Sequence, residues 1–162
     1  MADVEKMKIN LAKNEEKLAK KVALLAKYEN KKAKLSAQWK KLTEEEYTES
    51  MKFIESKNDE NLSIAGKIEK YYNREVLNLY FDISTFYHYS RYSWNPIVQT
   101  QKGIKELEER CQKYRDEIAK EEKKVADRKA SIEEHSVSVN GKDVNVIVEF
   151  LNNWEKESKE VL

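Results

Sequence analysis

The chain has 162 residues, 38% of them charged, and its three glycines and one proline leave few helix breakers, which argues against a sheet-rich fold and suits one domain or one elongated helical unit. The formal charge is +1, yet residues 1–42 carry twelve lysines against five acids, while residues 43–162 carry nineteen basic residues against twenty-five acidic ones. A single cysteine, Cys111, excludes an internal disulfide, no apolar run approaches the ~18–20 residues of a membrane span, and the charged N-terminus lacks a signal-peptide apolar region, so a soluble cytoplasmic protein with no membrane partner is expected.

The first element is written as a heptad. Leu11-Ala12-Lys13 recurs as Leu18-Ala19-Lys20 and Leu25-Ala26-Lys27, then in decayed form as Lys32-Ala33-Lys34 and Trp39-Lys40-Lys41. With Val4 at position a, the a column is Val4, Leu11, Leu18, Leu25, Lys32 and Trp39, and the d column is Met7, Asn14, Lys21, Tyr28, Leu35 and Leu42. Nine of these twelve are apolar, which predicts a coiled-coil helix over 4–42. Asn14, Lys21 and Lys32 are polar seam positions that weaken pairing and restrict its register.

Thr43-Glu44-Glu45-Glu46 matches a capping box and predicts a second helix over 44–94. Tyr47, Met51, Ile54, Leu62, Ala65, Ile68, Tyr72, Val76 and Leu79 continue at helical spacing. Lys57-Asn58-Asp59-Glu60-Asn61 is poor in helix formers and predicts a kink or short break, and Gly66 is a second weak point. Residues 71–94 hold nine of the sixteen aromatics. Around Val76–Ile83 the pattern is apolar on nearly every side, which suits a buried helix or a strand; the helical flanks favour helix.

Asn95-Pro96 reads as an N-cap followed by proline at the first helical position, opening a helix over 96–135. Its a column, Ile97, Ile104, Cys111, Ile118, Val125 and Ile132, is apolar throughout. Its d column, Thr100, Leu107, Tyr114, Glu121, Arg128 and His135, degrades toward the C-terminal end. Residues 4–42 and 96–135 number 39 and 40, each roughly 60 Å of helix at ~1.5 Å per residue. The matched lengths predict that they pack together, with the middle segment returning the chain. Asn140-Gly141 predicts a β-hairpin or a bare turn, followed by a terminal helix capped by Asp143 with Val144, Ile147, Leu151, Trp154 and Val161 on one face. The expected fold is all-α: an elongated helical bundle with long antiparallel coiled-coil helices, a body over 1–135 and a turn plus helix over 136–162.

Lys6, Lys13, Lys20, Lys27, Lys34 and Lys41 share one heptad column, with Lys17 and Lys31 on an adjacent one. Such a row could track a phosphate backbone by releasing counterions. Against that, no arginine precedes Arg74, base reading usually enlists Arg, Asn or Gln, and lysine is an ordinary choice for a solvated helix face. The column Ala12, Ala19, Ala26 and Ala33 could admit a third helix, or serve simply as good helix former. The aromatic segment could be core or an interaction surface; Tyr87, Tyr89, Arg91, Tyr92 and Trp94 are the candidate anchors.

His88 and His135 are the only histidines, and no Cys/His spacing suits zinc. There is no nucleophile elbow, phosphate-binding glycine loop or EF-hand loop. Glu44-Glu45-Glu46 and Glu121-Glu122 read as helix surface, and Cys111 as a small buried hydrophobe. No enzyme and no cofactor are expected.

Lys67-Ile68-Glu69-Lys70-Tyr71-Tyr72-Asn73-Arg74-Glu75-Val76-Leu77-Asn78-Leu79-Tyr80 and Val144-Asn145-Val146-Ile147-Val148-Glu149-Phe150-Leu151-Asn152-Asn153-Trp154, with the lysine-rich N-terminal coiled coil, resemble segments of helical accessory proteins of unknown function carried on phages and integrative elements of Gram-positive bacteria. The resemblance covers under half of the chain and implies no activity. It implies a setting in which small helical proteins block host nucleases, including as anti-CRISPR inhibitors. The expected function is therefore a non-enzymatic helical module that binds a protein partner, a mobile-element inhibitor of a host nucleic-acid-handling complex. The alternatives are nucleic-acid binding through the lysine face and a structural coiled-coil or scaffold role, with a homodimer open in each case.

Overall fold

The computed structural model describes residues 2–88, 94–137 and 148–155. Two long helices, α1 (Ala2–Thr43) and α5 (Pro96–Val137), flank three shorter ones, α2 (Tyr47–Ser56), α3 (Ile64–Tyr71) and α4 (Arg74–Tyr87). Residues 148–155 form a further short helix, α6. Among the described residues every regular element is helical, as the scarcity of breakers predicts. The Asn140-Gly141 turn and the Asp143 cap lie outside the described residues. The chain groups into two compact units, Met1–Glu16 with Glu108–Leu162, and Lys17–Leu107.

In the Lys17–Leu107 unit, the apolar seam of α1 ends in the core. Leu18, Leu25, Leu35 and Leu42 are half-buried, and Trp39 is sealed from solvent. Trp39 packs with Tyr47, Met51, Ile54, Ile68, Val76, Leu79 and Ile83, bringing residues of α1 to α4 into one cluster. The indole Nε1 donates to Ser50 Oγ at 3.0 Å, which satisfies its only donor. The ring meets Tyr47 edge-on, centroids 5.0 Å apart. A fully buried apolar side chain contributes about 1.5–3 kcal/mol.

The predicted helix 44–94 is three helices, and each boundary has a local cause. Thr43 does not cap α2; it is the last residue of α1, and its hydroxyl lies 2.9 Å from the Trp39 carbonyl. Glu44 takes a left-handed conformation, φ 63°, and its N–H donates to the Lys40 carbonyl at 2.8 Å, which closes α1. The N-cap of α2 is Glu46, with no side-chain cap bond; its carboxylate instead pairs with Lys40 at 2.7 Å. The break expected in the polar stretch 57–61 is present. It ends at Ser63, whose hydroxyl accepts from Gly66 N–H at 3.1 Å. Gly66 is thus inside the first turn of α3, not at a break. The second break falls at Tyr72 and Asn73, where Asn73 caps α4 by accepting from Val76 N–H at 2.8 Å.

Asn95 caps α5 as its place before proline predicts: its side-chain oxygen accepts from Ile97 N–H at 3.0 Å and Val98 N–H at 3.3 Å. Its amide nitrogen also donates to the Phe86 carbonyl at 3.0 Å, tying the last turn of α4 to the first turn of α5. Further along, Thr100 and Leu107 are buried, and the Lys21 side chain lies across Gly103.

In the other unit, Val4, Met7 and Leu11 of α1 are half-buried and Asn14 is buried. On α5, Cys111 and Ile118 are buried, while Arg128 and His135 are exposed, so the seam fades where its d column turns polar. Lys8 pairs with Glu122 at 2.9 Å and Glu15 with Arg115 at 2.8 Å. Such exposed pairs contribute little stability. The Arg128 guanidinium lies 5.8 Å from the Trp154 ring centroid of α6.

Replacing Ile54, which has no exposed surface, by alanine is expected to cost about 2–5 kcal/mol. Lys27→Ala should change stability by no more than ~0.5 kcal/mol; comparable losses at both sites in urea denaturation would contradict this burial pattern. Gly103 offers an opposite test. A methyl there would meet Lys21 Nζ at 2.8 Å and Cε at 3.1 Å, the mobile end of a long side chain. Gly103→Ala should therefore stabilise by about 0.5–1 kcal/mol through the helix-interior preference. A lowered urea midpoint would mean that the Lys21 ammonium is held where it lies.

Candidate binding surface

The heptad predicts which side of α1 is consumed by packing and which is left to solvent. Every a and d residue of the helix is buried or half-buried. Lys6, Lys13, Lys17, Lys20, Lys27, Lys31, Lys34 and Lys41 are all exposed. Ala12, Ala19, Ala26 and Ala33 are exposed as well, so no described helix covers that column.

Within the Lys17–Leu107 unit, the outward side of α1 joins two strips. One strip is lysine: Lys20, Lys27, Lys34 and Lys41 repeat every seventh residue, about 10.5 Å apart along the axis. The other is small: Ala19, Ala23, Ala26, Ala33 and Ala37. A shallow depression lies against these strips, lined by Ala23, Ala26, Lys27, Tyr28, Asn30, Lys31 and Lys34. The Tyr28 ring at its edge leans on Phe86, centroids 6.4 Å apart. The only acid between Lys17 and Lys41, Glu29, stands on the column between seam and alanines.

The aromatic segment divides. Tyr87 is a packing residue at the edge of the core: its ring centroid is 4.3 Å from that of Tyr47, the Lys32 ammonium sits 4.2 Å from its centroid, and its hydroxyl shares a 2.8 Å hydrogen bond with Ser36 Oγ. Burial pushes the Tyr47 phenol pKa above its ordinary value, and that hydroxyl is 2.7 Å from His88 Nε2. Trp94 is 63% exposed. Tyr89, Arg91 and Tyr92 lie outside the described residues. Phe81, at 58% exposed, is an outward aromatic that helical periodicity alone did not single out.

No family model, no curated protein and no solved structure matches the chain.

Among the described residues no group of three or more His, Cys, Asp or Glu side chains could hold a metal ion, and no helix is long and apolar enough to cross a membrane. One polar cluster escaped the sequence reading. Asp59, in the break between α2 and α3, accepts from the Tyr71 hydroxyl and from Lys70 Nζ at 3.1 Å. Lys67 Nζ donates to the Lys57 carbonyl at 2.8 Å. These bonds fasten the 57–63 connection to α3. The legible signal was the poor helix formers; that Asp59 would find a tyrosine twelve residues on depends on tertiary packing.

The Tyr71 hydroxyl, and then Lys70, hold the Asp59 carboxyl below its ordinary value of 3.8. A carboxyl depressed on folding adds stability above its unfolded pKa and loses it as pH falls through its folded pKa. Asp59→Asn should therefore flatten the acid limb of the stability curve below about pH 4 while leaving the shape near neutrality unchanged. Parallel urea midpoints from neutral to acidic pH check this; identical acid limbs for the two proteins would reject the Asp59 contribution.

Proposed function

We propose that the protein is a non-enzymatic helical module that acts by binding another protein. Following the resemblance of its segments to accessory proteins of mobile elements, its target is a nucleic-acid-handling complex of a bacterial host, which it inhibits as anti-CRISPR proteins do. The observation that carries the binding reading is the outward side of α1. One side of the helix is committed to packing, and the other presents an exposed, regularly repeated lysine strip beside small side chains. Trp94, exposed next to the N-cap of α5, supplies an aromatic of the kind that anchors interfaces.

The long helices are read as an antiparallel coiled-coil pair. The support comes from ion pairs within one unit, where Lys8 meets Glu122 and Glu15 meets Arg115, so that residue numbers fall on α5 as they rise on α1. A second reading, direct nucleic-acid binding, is favoured by the same lysine strip. Phosphate contacts made by lysine alone would give affinity without base readout and would weaken steeply with salt.

Affinity capture from a Gram-positive host extract, with and without nuclease treatment, separates the two. A retained protein should survive nuclease digestion; capture that disappears with the nucleic acid would sink the protein-binding reading. On the captured complex, Trp94→Ala should raise the dissociation rate by about tenfold or more, the behaviour of an interface anchor. An unchanged off-rate in a folded variant rejects Trp94 in that role.

A further inference from the structure

We infer that the lysine face of α1 between Lys17 and Lys41 is a docking face for an acidic helix of a partner protein. The inference rests on the protein-binding reading above and adds the chemistry of the partner.

Charge is the first argument. Lys17, Lys20, Lys27, Lys31, Lys34 and Lys41 are all exposed on two neighbouring columns of one helix, and those columns carry no acid over that stretch. A helix kept soluble by charge alone usually intersperses both signs, as α5 does with ten of each between residues 96 and 135. A single-sign strip is complementary to an opposite one.

Spacing is the second argument. The row Lys20, Lys27, Lys34, Lys41 repeats at about 10.5 Å, the axial period of a heptad, and winds around α1 by only about 20° per repeat. A partner helix with a glutamate or aspartate every seventh residue meets it in register along its length.

The ground beside the row is the third argument. Ala26 and Ala33 are exposed next to the lysines and are short enough for a second backbone to come close, so that long lysine side chains reach past the contact to carboxylates on the partner. Phosphate tracking has no use for a flat apolar strip.

The test titrates the full-length protein with a four-heptad synthetic helix carrying glutamate at every seventh position beside an alanine column, with the same peptide bearing glutamine for glutamate, and with a DNA duplex of equal charge. Two variants accompany the native protein. The first is the triple reversal Lys27→Glu, Lys34→Glu, Lys41→Glu, which places no charge in the seam. The second, Ala33→Gln, keeps the charge but crowds the floor. Circular dichroism verifies that both remain helical.

The inference expects the acidic helix to bind, the glutamine peptide to bind at least about tenfold more weakly, and the triple reversal to lose about tenfold or more, mostly in on-rate. Ala33→Gln should weaken the peptide complex several-fold and leave duplex binding unchanged. A duplex bound more tightly than the acidic helix would overturn both the inference and the protein-binding reading. Absence of acidic-helix binding, or equal binding by the triple reversal, would overturn the inference alone and leave the protein-binding reading to the Trp94 test. Self-association of the native protein in sedimentation, lost in the triple reversal, would assign the face to a second copy and overturn the acidic-partner inference.

Discussion

Burial of Trp39 organises the larger unit. It is the last a residue of the first heptad series, the one seam position where a long helix ends in a many-sided core. Its indole is large and fully away from water, packed against Tyr47, Met51 and Ile54 of α2, which favours the fold-back at the Thr43–Glu46 turn. The cost of burying the ring N–H is met by Ser50, the matching buried hydroxyl on α2. That same hydroxyl lies 3.4 Å from Glu45 Oε2, which also accepts from the Tyr72 hydroxyl at 3.1 Å. The turn, α2 and the end of α3 are thus positioned by polar contacts that radiate from one apolar event.

The three polar seam residues show why the seam of α1 is not a uniform leucine zipper. Lys21 extends its stem over Gly103, the one residue on α5 with no side chain to obstruct it. Lys32 places its ammonium over the Tyr87 ring, where the π face replaces part of its hydration. Asn14 remains 8% exposed in the other unit. Lys21 and Lys32 are each accommodated by a specific neighbour at one height along the helix. A seven-residue shift of α1 would bring Asn14 or Tyr28 opposite Gly103 and would take the cation away from the aromatic, so Lys21 and Lys32 favour the observed placement.

What could be read from residues alone follows from which forces are local. The heptad columns of α1 and the a column of α5 are periodic over forty residues, and their burial follows the columns. Asn95-Pro96 is a local capping signal and is used as one, although its second bond, to the Phe86 carbonyl, required knowing where α4 ends. The Thr43 box misled because the same four residues also make a good helix stop: a left-handed Glu44 and a Lys40–Glu46 pair compete with the cap and win once Trp39 is buried. Asn73 was passed over because strongly apolar flanks masked a cap inside a helical pattern. The candidate surface was legible to the extent that it is the complement of the seam. Whether Tyr87 packs or projects was not, since it depends on Tyr47, forty residues away.

The two sides of α1 impose different demands on the same sequence. Seam positions are constrained by volume and register, so they accept lysine or asparagine only where a neighbour makes room. Outward positions are constrained by neither, because any good helix former would keep α1 folded there. Lysine and alanine both meet that demand, so helix stability accounts for the residue types but not for their seven-residue repeat. Like charges three and four residues apart, such as Lys27 with Lys31 and Lys31 with Lys34, are mildly destabilising on an isolated helix. The outward strip thus carries a small electrostatic cost within α1 itself, set against the good helix propensity of lysine and alanine.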